Sequence, residues 1–150
     1  LIIGEAPGAE EDRQGIPFVG KAGLLLDQML EACGTDPKEV YIANVVKCRP
    51  PNNRNPEKSE ISFCLKFLLK QIEFISPKAI LVLGRIAAHT LLNCNESLAR
   101  LRGRVHYDSI TSVPVVVTYH PAYLLRSPQE KAKSWSDLML FKQTVEKNLE

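Results

Sequence analysis

Glu5 stands directly after the apolar run Leu1-Ile2-Ile3, within Gly4-Glu5-Ala6-Pro7-Gly8-Ala9-Glu10-Glu11-Asp12. His120 stands directly after another apolar run and opens His120-Pro121-Ala122-Tyr123-Leu124-Leu125-Arg126. Ligands of open α/β sheets bind beyond the carboxyl ends of the strands, so a carboxylate and an imidazole at two such ends can face one cleft. A histidine there can donate to an oxygen whose negative charge grows as a bond breaks. Asn44 interrupts a third apolar run, and a buried amide must find polar partners. Taken singly, these residues also admit plain roles: Glu5 as a solvated loop residue, Asn44 as a partner of neighbouring backbone.

The loop from Gly4 to Gly20 carries Gly4, Gly8, Gly15 and Gly20. Glycines let backbone approach a ligand closely and present amides to a phosphate or a base. Phe18, between Pro17 and Gly20, offers a flat stacking surface, or else fills the core. The second loop, Lys47-Cys48-Arg49-Pro50-Pro51-Asn52-Asn53-Arg54-Asn55-Pro56, is stiffened by prolines and places Lys47, Arg49 and Arg54 in a compact positive patch suited to phosphates. In the third loop Tyr123, Leu124 and Leu125 form an apolar tip that, when exposed, can wedge into a base stack, and Arg126 can hold the adjacent phosphate. The plain alternative for the Leu-Leu pair is core.

Elements that position these loops follow from periodicity. Apolar, β-branched runs over 1–3, 40–46, 79–83 and 113–119 lack alternation and read as parallel strands buried on both faces. Helical spacing is found over 22–33 (Leu25, Leu26, Met29, Leu30, with Gly34 to end it), over 56–75 with Pro56 near its start, and over 85–92. A further helix from about 129 carries Trp135, Leu138, Phe141, Val145 and Leu149. Alternating strands and helices predict an α/β fold, a three-layer α/β/α sandwich around a four-stranded parallel sheet.

With 150 residues, 45% hydrophobic and 24% charged, the chain has the size of one domain, expected to span 1–150. A net charge of +2 does not by itself announce nucleic acid, so a DNA surface must come from local clustering of cations. No apolar run has the length of a membrane span and no signal-peptide pattern is present, so a membrane role is not expected. The chain opens inside an apolar run without an initiator Met, and a short N-terminal segment is expected to precede it. Cys33, Cys48, Cys64 and Cys94 show no paired spacing, so disulfides are not expected.

Gly4-Glu5-Ala6-Pro7-Gly8 with Glu11-Asp12, then Pro17-Phe18-Val19-Gly20, Asn44-Val45-Val46-Lys47-Cys48-Arg49-Pro50-Pro51 and His120 to Arg126 resemble, in order, the motifs of family 4 uracil-DNA glycosylases. The resemblance implies a monofunctional hydrolase of DNA base-excision repair. Such an enzyme flips uracil out of DNA, hydrolyses its N-glycosidic bond and leaves an abasic site, without lyase activity. It implies that Phe18 stacks on the uracil and that Asn44 reads its polar edge, accepting from N3–H and donating to O4. His120 would stabilise the anionic leaving base, and Glu5 would orient or activate water. Backbone around Ala6 and Gly8 would shape the pocket, with Asn52 a further family position. Position 6 is alanine, whereas several related glycosylases place an Asp in that loop.

The family also implies a 4Fe–4S cluster. Cys48 and Cys64 stand where two of its ligands stand, and the other two belong to a Cys-x-x-Cys pair upstream of the first strand. Two thiolates do not complete the set of four that such a cluster requires. Cys33 and Cys94 read as small core residues. The expected partner is uracil-containing DNA, acted on by a monomer in the cytoplasm, at the bacterial nucleoid. Two alternatives stand beside this reading: a glycosylase for another deaminated base, and a non-catalytic DNA-binding or polymerase-associated module of the same fold.

Overall fold

The computed structural model describes residues 1–108 and 110–149. Its strands are β1 (Ile2–Gly4), β2 (Ile42–Asn44), β3 (Ile80–Leu83), β4 (Val105–Tyr107) and β5 (Pro114–Thr118). Its α-helices are α1 (Ala9–Gln14), α2 (Lys21–Ala32), α3 (Lys58–Ile75), α4 (Arg85–Leu92), α5 (Leu98–Leu101), α6 (Pro121–Arg126) and α7 (Lys131–Lys147). The sheet order is β2-β1-β3-β5-β4, with every pairing parallel except β4–β5. The expected four-stranded parallel sheet is therefore present but extended by a fifth, antiparallel edge strand. Val105-His106-Tyr107 escapes a pattern search because it is three residues long and not fully buried; its pairing with β5 defines it.

Side chains alternate across a strand, and the apolar runs divide accordingly between two cores. Ile3, Ile80, Val82, Val115 and Val117 meet Leu68 and Ile72 of α3 and Ala87, Ala88 and Leu91 of α4. Ile2, Leu81, Leu83 and Val116 meet Leu26 and Leu30 of α2 and Leu138 and Phe141 of α7. Burial on both faces explains why the strands read as continuous apolar runs.

Two motif segments expected as loops contain helices. After Gly8, the first turn of α1 gathers Glu10, Glu11 and Asp12 where the helix dipole favours anions, and Gly15 closes the helix at φ 70°. After β5, His120 caps α6 and Pro121 occupies its first turn. Helix α3 begins past Pro56, at a capping box formed by Glu57 and Glu60. The inward row of α7 is Ser134, Asp137, Leu138, Phe141 and Thr144 rather than the row through Trp135, which is partly exposed. Asp137 is buried because it accepts from Arg102 Nε (2.7 Å) and from the Thr118 hydroxyl (2.8 Å). The Arg102 guanidinium lies 4.6 Å from the centre of the Tyr119 ring. This network ties down the end of β5, directly before His120. Among the described residues no helix is long and apolar enough to cross a membrane.

Candidate active site

The order of the parallel strands changes direction between β1 and β3, and a crevice opens at such a point beyond the strand ends. Gly4 ends β1 there, opposite Asn44 of β2. A Cβ built on Gly4 would lie 2.6 Å from Asn44 Oδ1 and 2.8 Å from Phe18 Cζ. Absence of a side chain at position 4 is what lets the amide and the phenyl ring converge. The Phe18 ring in turn stacks on the His120 ring, with centroids 5.6 Å apart and planes inclined by 28°. Asn44 is buried, and its Oδ1 has no hydrogen-bond partner within the protein. A buried acceptor left unpaired costs about 1–3 kcal/mol, which a ligand N–H would relieve.

Phe18 holds φ at 55°, a left-handed conformation that is uncommon outside glycine. Its carbonyl lies where a Cβ of Gly23 would be, at 1.8 Å. The first turn of α2 is thus pressed against the Phe18 peptide, which sets the ring's position. Gly23→Ala is expected to cost about 1–3 kcal/mol, the range for overpacking a tight interior site, and to move the ring. Denaturant unfolding measures the first effect, and a shift of the Phe18 and His120 ring resonances the second.

His120 Nδ1 accepts the backbone N–H of Ala122 at 3.0 Å. The single proton of the neutral ring is therefore on Nε2, available as a donor. Burial, with help from the Arg126 charge, lowers the His120 pKa from 6.5 to about 4. The ring is neutral near pH 7. Because the folded pKa lies below the unfolded one, its contribution to stability is complete above pH 6.5 and is lost as pH falls to about 4. The loss amounts to about 3 kcal/mol at 1.36 kcal/mol per pH unit. Urea unfolding between those pH values should show it in the wild type and not in His120→Gln.

Glu5 and His120 line the same cleft, with Ala6, Gly8, Arg54, Asn55 and Arg126 along its walls. A connected depression adds Gly84, Arg85 and Tyr119. Burial pushes the Glu5 carboxyl above its ordinary pKa, while the Arg85 charge pulls it back. Sequence patterns singled out neither Gly84 nor Arg85, although they follow the apolar run of β3 just as Glu5 follows β1. Gly84 adopts φ +91°, and a Cβ there would lie 3.3 Å from His120 Cβ. Asn55 and Tyr119 were also missed.

Several expected site residues stand elsewhere. Leu124 is fully buried on the side of α6 that packs against α2, and cannot wedge into a base stack. The helical turn points it away from Tyr123 and Leu125, which are exposed. The Lys47 ammonium is turned inward, donating to the Asn44 carbonyl (2.7 Å) and to Gln71 Oε1, rather than standing out with the cations of its loop. Arg49 donates to Asn53 Oδ1 at 2.8 Å and braces its own loop. Asn52 and Asn53 both have positive φ, and this double bend brings Asn53, but not Asn52, to the cleft. Arg54 borders the cleft while donating to Glu60 at 2.6 Å.

All four cysteines are free thiols, with Cys48 exposed, Cys64 partly buried on α3 and Cys33 buried. Among the described residues no three His, Cys, Asp or Glu side chains gather as a metal site. The side chains present therefore do not fit a 4Fe–4S cluster by themselves.

Residues 1–139 match the model of the Uracil DNA glycosylase superfamily. The chain is 44% identical over 147 residues to a Type-4 uracil-DNA glycosylase of Pyrobaculum aerophilum, covering 94% of this chain and 75% of that protein. It is 43% identical over 143 residues to the Type-4 enzyme of Archaeoglobus fulgidus, covering 91% and 72%. With that of Thermotoga maritima it shares 46% over 128 residues, covering 85% and 66%. A site gathered at four parallel strand ends, on a chain with these relatives, makes it a member of the uracil-DNA glycosylase superfamily on its type-4 branch.

Proposed function

We propose that this protein removes uracil from DNA, hydrolysing the N-glycosidic bond of a flipped-out nucleotide and leaving an abasic site. The reading is carried by the convergence at Gly4 of an unpartnered buried acceptor on Asn44 and a Phe18 ring stacked on a neutral, Nε2-protonated His120. Uracil inside a duplex is out of reach, so the nucleotide is extruded at a cost of roughly a few kcal/mol. Stacking on Phe18 and hydrogen bonds to Asn44 offset part of that cost. Asn44 Oδ1 accepts from N3–H, and its amide nitrogen donates to O4.

As the bond between C1′ and the base nitrogen breaks, its electron pair leaves with uracil, and His120 Nε2–H donates to the developing anion at O2. Glu5, across the cleft, orients or activates the water whose oxygen joins C1′. Alanine at position 6 leaves no second carboxylate in that loop. Arg54, Arg126, Tyr123 and Leu125 border the path of the DNA strand. Lys47 lines the depression beside Asn44, but its ammonium is held by the Asn44 carbonyl and Gln71 Oε1. Among the described residues no lysine lines the cleft of Glu5 and His120. This supports base removal without a Schiff base and without strand cleavage. Cys48 and Cys64 offer two of the four thiolates of the cluster associated with the family resemblance, and the steps above use none of its chemistry. The whole chain acts as one domain and as a monomer, on DNA in the cytoplasm at the bacterial nucleoid.

The test is incubation with an oligonucleotide carrying one uracil, read with and without subsequent alkali. Strand breakage only after alkali is expected; intact DNA after alkali, from folded protein, would overturn the reading. Asn44→Asp tests base selection. A carboxylate accepts from the amino group of cytosine but cannot donate to O4 of uracil, so preference for uracil should fall about tenfold, the weight of one hydrogen bond of about 1–1.5 kcal/mol. Unchanged discrimination against cytosine would remove Asn44 from that role.

A further inference from the structure

Lys47 stands in a basic loop, yet its ammonium makes two internal hydrogen bonds, one of them to the Asn44 carbonyl at 2.7 Å. β2 is an edge strand whose single neighbour is β1. The peptide joining Asn44 to Val45 sends its N–H inward to the Gly4 carbonyl at 3.0 Å. No peptide in the described chain is cis, so the carbonyl of that same peptide points the opposite way, to the open edge where no strand can pair with it. Lys47 supplies the donor that a neighbouring strand would have supplied. Its second acceptor, Gln71 Oε1 on α3, belongs to an amide whose nitrogen donates to the Tyr41 hydroxyl at 3.3 Å, just ahead of β2.

We propose that Lys47 and Gln71 form a clamp that positions Asn44 for base selection, and that Lys47 does not bind a DNA phosphate. The Asn44 side-chain oxygen makes no hydrogen bond in the protein, so its aim depends on the backbone that carries it. Gripping the Asn44–Val45 peptide from both sides sets that aim. The next peptide matters as well: Val46 N–H donates to the Glu5 carbonyl at 3.0 Å, so the clamp also steadies the strand end that presents Glu5. This inference rests on the glycosylase reading, in which Asn44 reads the base.

Lys47→Met and Gln71→Leu separate positioning from phosphate contact. Single-turnover uracil release is measured at saturating protein, alongside the salt dependence of binding to an oligonucleotide carrying non-cleavable 2′-fluoro-deoxyuridine. Both variants should release uracil about tenfold more slowly and discriminate less well against cytosine. The slope of log Kd against log salt should stay at the wild-type value. The double variant should be no worse than either single one, because the two residues act as a unit. A slope lowered by about 0.9 in Lys47→Met alone, with the bound rate unchanged, is the behaviour of a phosphate contact and would overturn the proposal. Lower melting temperature with unchanged rate and selectivity would overturn it too. Amide exchange at Val45 needs no activity: faster exchange in both variants supports the clamp and unchanged exchange refutes it. Absence of uracil release from the wild type would count against the glycosylase reading instead, leaving that exchange measurement to decide the clamp.

Discussion

His120→Ala is expected to slow single-turnover release of uracil by about 10²–10³-fold, the effect of removing one preorganised donor worth about 2.7–4 kcal/mol. Binding of uracil-containing DNA should change far less, because the donor acts most strongly on charge that exists only in the transition state. The tautomer carries this expectation. With Nδ1 occupied by the Ala122 N–H, the ring can aim only Nε2–H into the cleft. With its pKa lowered to about 4, the ring stays neutral across physiological pH. Titration of His120 should therefore leave no inflection in the wild-type rate near pH 6.5, and any contribution should appear only as pH approaches 4. A variant that bound DNA weakly but cleaved at the wild-type rate once saturated would remove His120 from the chemistry. Loss of the α6 cap is expected to cost about 1 kcal/mol of stability, so unfolding curves should accompany the kinetics.

Gly4→Ala is expected to abolish most activity while leaving the fold intact. The new methyl group would stand 2.6 Å from Asn44 Oδ1 and 2.8–2.9 Å from the tip of the Phe18 ring. These are ends of side chains rather than backbone, so the protein can accommodate the methyl by swinging both groups aside. They are also the two groups proposed to hold the base. Misplacement by about 1 Å costs about 10²-fold in rate where geometry controls reactivity, and both contacts would move together. The measurement is kcat/KM for uracil release beside a melting curve. A large loss of activity with a near-native melting temperature is expected; unchanged activity would show that the base does not bind over Gly4.

The strands were legible in the sequence because burial on both faces leaves nothing but apolar residues, as in Ile80-Leu81-Val82-Leu83. The strand-end positions of Glu5 and His120 followed directly from those runs, whereas Asn44, read as interrupting the run over 40–46, ends β2. What could not be read was which way a side chain turns once its segment coils. Leu124 looked like part of an apolar tip, but α6 rotates it into the core. Lys47 looked like one cation in a cluster, but an unpaired edge carbonyl captures it. Gly23 carried no signal at all, since its importance lies in a carbonyl from a separate turn that occupies the space of its missing side chain. Strand β4 was hidden for a related reason: its identity depends on the hydrogen bonds of β5 rather than on its own pattern.

Gly4, Asn44, Gly84 and His120 stand at or just beyond the ends of four different strands, far apart in sequence. Parallel neighbours of this kind pair only after long connections have closed, which makes them late events in folding. During synthesis the carboxylate of Glu5 and the phenyl ring of Phe18 emerge well before the imidazole of His120. A chain whose last parallel strand has not docked lacks the imidazole donor beside Phe18. Assembly of the complete site therefore coincides with completion of the parallel sheet.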